Sequence, residues 1–255
     1  MPTSVTFEAH LDALALATAR IHAYGDAAGL DAAVPTCRGW SVQDLVAHQG
    51  MVHRWASNIV RELPRRATDA WEQEGRGVSD PMAWLGHGSD VLRAALMQAP
   101  PDLDVWFLLP NGPAPRDAWA RRQCHETTMH AVDALSAQLG RVPLAREADL
   151  PADIAADGVD EMLTGFAARP SVELRSPEPL TAEVRAHDTG DVWRIQISDQ
   201  PLIVERTTTA GAAASVVYGT AAQLYLGLWN RGNEMSSEGH DLVPLWRNRV
   251  KVSWS

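Results

Sequence analysis

The sequence predicts an α+β protein in which an N-terminal four-helix bundle precedes a smaller α+β domain. Apolar residues recur at helical spacing through long segments of the first half of the chain. Short runs of alternating or β-branched apolar residues, separated by turn sequences, follow in the second half. At 255 residues the chain is long enough for two domains of ordinary size. We therefore predict a helical domain over residues 1–145 and an α+β domain over residues 146–255, with Pro143 in the linker.

Composition and charge exclude several classes of protein. The hydrophobic content of 45% with ten tryptophans is ample for a buried core, and no segment approaches the roughly 20 apolar residues that cross a bilayer. The first ten residues lack the pattern of a secretory signal, so we expect a cytoplasmic protein without a membrane partner. A net charge of −10 opposes a nucleic-acid surface. Cys37 and Cys124 are too few for a disulfide framework and are expected to be free thiols. These features assign no oligomeric state.

The predicted bundle helices have recognisable ends. Ser41 is a helix N-cap with Asp44 three residues on, Pro81 lies in a first turn, and Gly140 is a C-terminal stop. The predicted helices cover residues 7–25, 41–63, 81–98 and 115–139. Residues 65–77 are predicted to be a charged loop or frayed helix end, and residues 103–109 an extended or irregular apolar stretch.

Beyond Gly140 the pattern mixes helices and strands. The turn sequences at residues 188–191 and 199–201 predict two hairpins. The predicted elements are a fifth helix over 150–168, strands over 180–187, 192–198, 202–208 and 213–218, and a closing helix over 220–231 that Gly232 stops.

Glu126 and His130 on the fourth predicted helix are candidate metal ligands. Their separation of four residues places both on one face, about one turn apart. His125 lies about 100° around the helix from Glu126 and cannot readily share their ion. Cys124 lies about 160° from Glu126, so core packing is the better interpretation.

The third ligand has to come from another helix, and His48 is the best candidate. On the second predicted helix it falls on the apolar face, whereas His53 is well over 90° away and is predicted not to point inward. Two histidines and a carboxylate suit a catalytic Zn²⁺ with an open coordination position, or a non-haem Fe²⁺. The alternative without a metal site is that His48 is a core histidine and that Glu126 and His130 lie on a solvated face opposite the most apolar stripe of their helix.

Three segments resemble known proteins. Residues 36–48, TCRGWSVQDLVAH, resemble the C-x-G-W-x-V-x-D-L-x-x-H segment of DinB-like bundles. Residues 119–134 are similar to the second segment of the mycothiol-dependent maleylpyruvate isomerase family, and residues 218–231 to its closing helix. Two positions depart from the family pattern, because Ala131 stands where arginine is frequent and Asn230 where glycine is usual.

The resemblance implies a DinB-like bundle that binds a divalent metal, usually zinc, through His48, Glu126 and His130. It also implicates a C-terminal arginine, which Arg231 matches, and mycothiol or another small thiol as cofactor. A metal-bound thiolate would attack a small electrophilic substrate, in isomerisation or in S-transfer.

Other interpretations remain open at the level of the sequence. The same triad would serve a non-haem Fe(II) oxygenase, or a protein that binds a metal or small molecule without turnover. Arg231 would bind a substrate carboxylate, or would only interact with the C-terminal dipole of its helix.

Overall fold

The computed structural model describes residues 5–64, 66–110 and 112–250. This part of the chain divides into two compact units. The first, here called the helical unit, comprises residues 6–108 and 112–143. The second, the C-terminal unit, comprises residues 144–250 together with residues 5, 109 and 110. A helical N-terminal part followed by a mixed sheet with helices confirms the predicted α+β fold class.

The long helices of the helical unit lie where the periodicity predicts them. Ser41 and Asp44 form a complete capping box, and Gly140 ends its helix in the left-handed region with φ 65°. Residues 103–109 form no regular element, as predicted. The helices are α1 (Phe7–Ala28), α2 (Val42–Val60), α3 (Thr68–Gly77), α4 (Pro81–Gln98) and α5 (Pro115–Leu139).

Helix α3 corrects the prediction of a charged loop or frayed end between residues 65 and 77. Its sequence, TDAWEQEGRG, holds a single large apolar residue and therefore shows no helical periodicity. Tertiary packing stabilises it instead, because Trp71 is buried and Gly75 lies against the ring of Trp84 from α4. The consequence for the site is that α3 brings Glu72 to His48.

The helical unit has a buried polar layer between two apolar clusters. Helix α5 contributes Trp119 and Ala120 to one cluster and Ala131 and Ala134 to the other. The residues of α5 between these pairs are mostly polar and buried. Helix α2 follows the same plan, since its polar residues 48, 49 and 53 lie between residues 45–46 of one cluster and 56–60 of the other.

The expectation about the direction of His53 is wrong, and the solvated-face alternative for Glu126 and His130 is excluded. His53, expected not to point inward, is fully buried, because α2 contacts α3, α4 and α5 and so has more than one covered side. The solvated face considered for Glu126 and His130 does not exist, since every residue from 122 to 137 of α5 is buried.

The C-terminal unit is a mixed sheet with helices. Strands β1, β2 and β3 form the two predicted antiparallel hairpins, β4 pairs parallel to β1, and β5 pairs antiparallel to β4. Its strands are β1 (Leu180–Ala186), β2 (Asp191–Ile197), β3 (Ile203–Thr207), β4 (Ser215–Gly219) and β5 (Ser236–Gly239). Its helices are α6 (Ala145–Ala148), α7 (Ala152–Asp160), a π-helix (Glu161–Phe166), α8 (Ala221–Leu228) and α9 (Val243–Arg249).

Several features of the C-terminal unit differ from the sequence prediction. The predicted fifth helix changes to π-helical geometry after Asp160. Strand β5 was not predicted, because its four residues, SSEG, are polar and exposed. Helices α6 and α9 were also not predicted. None of the described helices is long and apolar enough to cross a membrane.

Candidate metal centre

Helices α2 and α5 bring His48, Glu126 and His130 together. One potential ligand atom of each residue lies within 4.8 Å of the other two. Glu126 Oε1 is 3.4 Å from His130 Nε2 and 4.0 Å from His48 Nε2. All three residues are buried, with 3–6% of their surface exposed. His125 is buried but does not belong to this group.

A carboxylate holds the outer ring nitrogen of each histidine. His48 Nδ1 lies 3.0 Å from Glu72 Oε1, and His130 Nδ1 lies 3.0 Å from Asp133 Oδ2. An ionised carboxylate only accepts hydrogen bonds, so each Nδ1 carries the proton and donates it. In the neutral rings this leaves both Nε2 lone pairs for a metal, which is the usual carboxylate–histidine–metal arrangement.

The two carboxylate oxygens of Glu126 have different partners, as the two ring nitrogens of each histidine do. Its Oε2 accepts a hydrogen bond of 2.9 Å from Arg122 Nη2, one helical turn earlier on α5, while Oε1 faces the histidines. Arg122 is fully buried. A buried guanidinium and carboxylate compensate each other's loss of hydration. The donor set therefore fits a divalent ion, because a hydrogen bond to a second residue orients each of the three ligand side chains.

The ion pair between Glu126 and His130 governs their protonation. Burial alone would raise the pKa of Glu126, but the hydrogen bond with His130 and the charge of Arg122 lower it to about 2. Burial would lower the pKa of His130, but hydrogen bonds to Asp133 and Glu126 raise it to about 9. Burial, and then the positive charge of His130, lower the pKa of His48. A metal ion therefore has to displace the His130 proton.

Known proteins match this chain across both units. A family model described as the mycothiol maleylpyruvate isomerase (MDMPI) N-terminal domain matches residues 11–135. A second model, described as the MDMPI C-terminal domain, matches residues 153–239. The chain belongs to the mycothiol-dependent maleylpyruvate isomerase family. This confirms the family resemblance of the sequence. No curated protein gives a significant match.

Solved structures of the same family share the fold. A crystal structure of the mycothiol-dependent maleylpyruvate isomerase aligns with a TM-score of 0.63 at 16% sequence identity, covering 93% of this chain and 96% of the other. A histidine-to-alanine mutant of that enzyme aligns over the same shares at 16% identity with a TM-score of 0.64. At this identity the likeness shows the fold alone.

The candidate arginine of the family pattern, Arg231, lies just beyond α8 in the C-terminal unit. It is half-buried, and its Nη1 donates a 3.1 Å hydrogen bond to the Trp229 carbonyl. The preceding Asn230, where the family pattern usually has glycine, has a φ of 59°. Asparagine tolerates this left-handed conformation better than most residues, so the chain keeps the backbone turn despite the substitution.

Four residues at the site were not singled out from the sequence. Arg122 and Asp133 stand four and three residues from their partners on α5, so helical spacing offered a signal for both. Glu72 offered none, because its helix has no periodicity. Trp40, whose ring centroid lies 4.9 Å from that of His48, is the tryptophan of the C-x-G-W segment, so the family pattern offered a signal for it.

Proposed function

We propose that this family member is a metal-dependent isomerase that uses mycothiol, or a closely similar thiol, as cofactor for a small electrophilic substrate. His48, Glu126 and His130 bind the divalent metal, for which zinc suits two imidazoles and a carboxylate. The observation that carries this proposal is the support behind each ligand: Glu72, Asp133 and Arg122 each fix one of them. Family membership supports the thiol and the isomerase reaction.

Each residue that supports a metal ligand has its own role. Glu72 and Asp133 keep the protons of His48 and His130 on Nδ1, so that both Nε2 atoms serve as ligands. Arg122 keeps Glu126 ionised and directs its Oε1 toward the histidines. A divalent ion held by His48, Glu126 and His130 would supply the positive charge that lowers the pKa of a thiol cofactor, so that its nucleophilic thiolate would be available near neutral pH.

Arg231 is proposed to bind the carboxylate of an acidic substrate. A guanidinium can donate two parallel hydrogen bonds to one carboxylate, which gives both affinity and orientation. Maleylpyruvate, the compound in the family name, offers such a group beside a conjugated double bond. The predicted cytoplasmic location is compatible with a soluble thiol cofactor and stays a prediction from the sequence.

Metal content and turnover of the purified protein test the proposal. We expect about one divalent ion per chain, and isomerisation of maleylpyruvate that requires both the metal and mycothiol. His48→Ala and Glu126→Gln should lose the metal and the activity together. His87→Gln, at an exposed position of α4, is the matched control and should retain both.

Each alternative function has its own outcome in this experiment. An isomerase leaves the thiol concentration unchanged during turnover, whereas S-transfer consumes one thiol for each product. Iron with oxygen consumption would support an oxygenase, and bound metal without turnover a binding protein. The metal assignment is wrong if wild type and His48→Ala hold the same trace amount of metal.

A further inference from the structure

Asp133 has a second partner besides His130. Its Oδ2 lies 3.0 Å from His130 Nδ1 and also 3.2 Å from Cys37 Sγ, which donates its thiol hydrogen. Cys37 is half-buried in the turn before α2, and Asp133 is fully buried. One potential ligand atom of each of these three residues lies within 4.8 Å of the other two.

This cluster differs chemically from the proposed catalytic donor set. A thiolate is a soft ligand that selects thiophilic ions, whereas His48 and Glu126 are harder donors. Around a tetrahedral ion of the size of Zn²⁺, with sulfur at about 2.3 Å and oxygen or nitrogen at about 2.1 Å, the ligand atoms lie roughly 3.4–3.6 Å apart. The observed separations of 3.0 and 3.2 Å would therefore have to open by a few tenths of an ångström for an ion of that size, and somewhat further for Cd²⁺.

We propose that Cys37, Asp133 and His130 form a second metal site, specific for thiophilic ions such as Cd²⁺. The ion binds Cys37 Sγ, Asp133 Oδ2 and His130 Nδ1, replacing the two hydrogen atoms that these groups now share. Both protons are released to solvent. The site goes beyond the proposed isomerase function, although His130 belongs to both donor sets.

Occupation of this site has a consequence for catalysis. An ion between Asp133 and His130 removes the hydrogen bond that fixes the His130 ring as a ligand through Nε2. We therefore expect thiophilic ions to inhibit the enzyme through Cys37. The two thiols of the chain allow a clean comparison, because Cys124 is buried on α5 and lies outside the cluster.

Titration of the metal-stripped full-length protein with Cd²⁺ tests the site. The ultraviolet charge-transfer absorption of a cadmium thiolate reports the Cys37 bond directly. We expect saturation near one thiolate-bound ion per chain in wild type and in the matched control Cys124→Ser. Cys37→Ser should lose the absorption, and Asp133→Asn should weaken binding at least about tenfold.

Further arms separate this proposal from the catalytic metal. His48→Ala should retain the cadmium thiolate absorption while losing the catalytic ion. Cys37→Ser should lose the absorption while retaining the catalytic ion. Selective alkylation of the accessible Cys37 in folded wild type repeats the test without a substitution. The proposal is overturned if the absorption persists in Cys37→Ser, disappears in Cys124→Ser or His48→Ala, or needs a large excess of Cd²⁺.

Discussion

The two histidines of the site obtain their supporting carboxylates in different ways. Asp133 stands three residues from His130 on the same helix, so the geometry of α5 fixes that pair. Glu72 stands 24 residues from His48, on a different helix. The orientation of His48 therefore depends on the packing of α3, because α3 carries the Glu72 carboxylate that binds the His48 ring.

Removal of the Glu72 carboxylate should weaken metal binding without removing a ligand. We expect Glu72→Ala to lower the affinity for the divalent ion about 10- to 100-fold, because His48 loses the partner that fixes its proton on Nδ1. Competition against a metal chelator measures this change. Asp69→Ala is the matched control, since Asp69 is an exposed carboxylate in the first turn of the same helix. Equal losses in Glu72→Ala and Asp69→Ala would contradict the role of Glu72.

At the scale of elements, Trp84 of α4 joins α3 to α2. A Cβ atom added at Gly50 of α2 or at Gly75 of α3 would come within 2.1 Å or 2.7 Å, respectively, of its ring. Both glycines therefore permit a close approach that a larger residue would prevent. Arg54 of α2 lies over the same side chain, with its guanidinium carbon 3.6 Å from a ring centroid. This packing is what holds Glu72 near His48.

Gly75→Ala should destabilise the protein and disturb the site together. The added methyl group would meet the rigid Trp84 ring at 2.7 Å and the backbone of Ala47 at 3.1 Å. Overpacking of this kind costs about 1–3 kcal/mol. We expect a lower free energy of unfolding in denaturant titration, and weaker metal binding because α3 moves away from α2.

The same substitution two residues later provides the control. A Cβ at Gly77, also on α3, would meet nothing within 4 Å, so Gly77→Ala should be neutral or slightly stabilising. If both variants weaken metal binding equally, the approach of α3 to Trp84 does not control the site.

For the whole molecule, the polar layer makes stability sensitive to pH through His53. Gln49 Nε2 donates to His53 Nε2 at 2.8 Å and to Thr127 Oγ1 at 2.9 Å, and the Thr127 hydroxyl donates to the Gln123 carbonyl. His53 Nε2 also lies 3.0 Å from Thr127 Oγ1, and its acceptance of the Gln49 hydrogen bond suits a neutral ring. Burial, together with the neighbouring charge of Arg54, lowers its pKa to about 3.

Acidification should therefore destabilise the folded protein through His53. The unfolded chain binds a proton at this histidine near pH 6.5, while the folded chain does not until about pH 3. Stability is complete above pH 6.5 and falls as pH decreases, by about 2 kcal/mol between pH 7 and 5 for this group. Unfolding titrations of metal-stripped protein at the two pH values measure the loss.

His53→Gln should reduce that pH-dependent loss by about the same 2 kcal/mol, whatever its effect on stability at pH 7. The exposed His22→Gln on α1 is the control and should leave the loss as in wild type. An unchanged loss in His53→Gln would show that other groups cause it.

The sequence by itself determined the long helices, the hairpins, the family and the proposed ligand triad. The family and the choice of His48 depend on the resemblance of whole segments and, for His48, on the apolar face of its helix. The helices and hairpins depend on short-range periodicity, capping residues and turn chemistry, which act between residues close in the chain. The separation of Glu126 and His130 is of this kind, and their role as ligands stays a prediction until metal is measured.

Only the tertiary structure decided which carboxylates support the triad, that α3 is a helix, and that His53 and all of α5 from residue 122 to 137 are buried. Each of these facts depends on which elements pack together over a large sequence separation. A helical wheel shows the direction of a side chain on one helix but not how many neighbours cover that helix. For this reason the apolar stripe of α5 could not reveal that its polar side is buried as well.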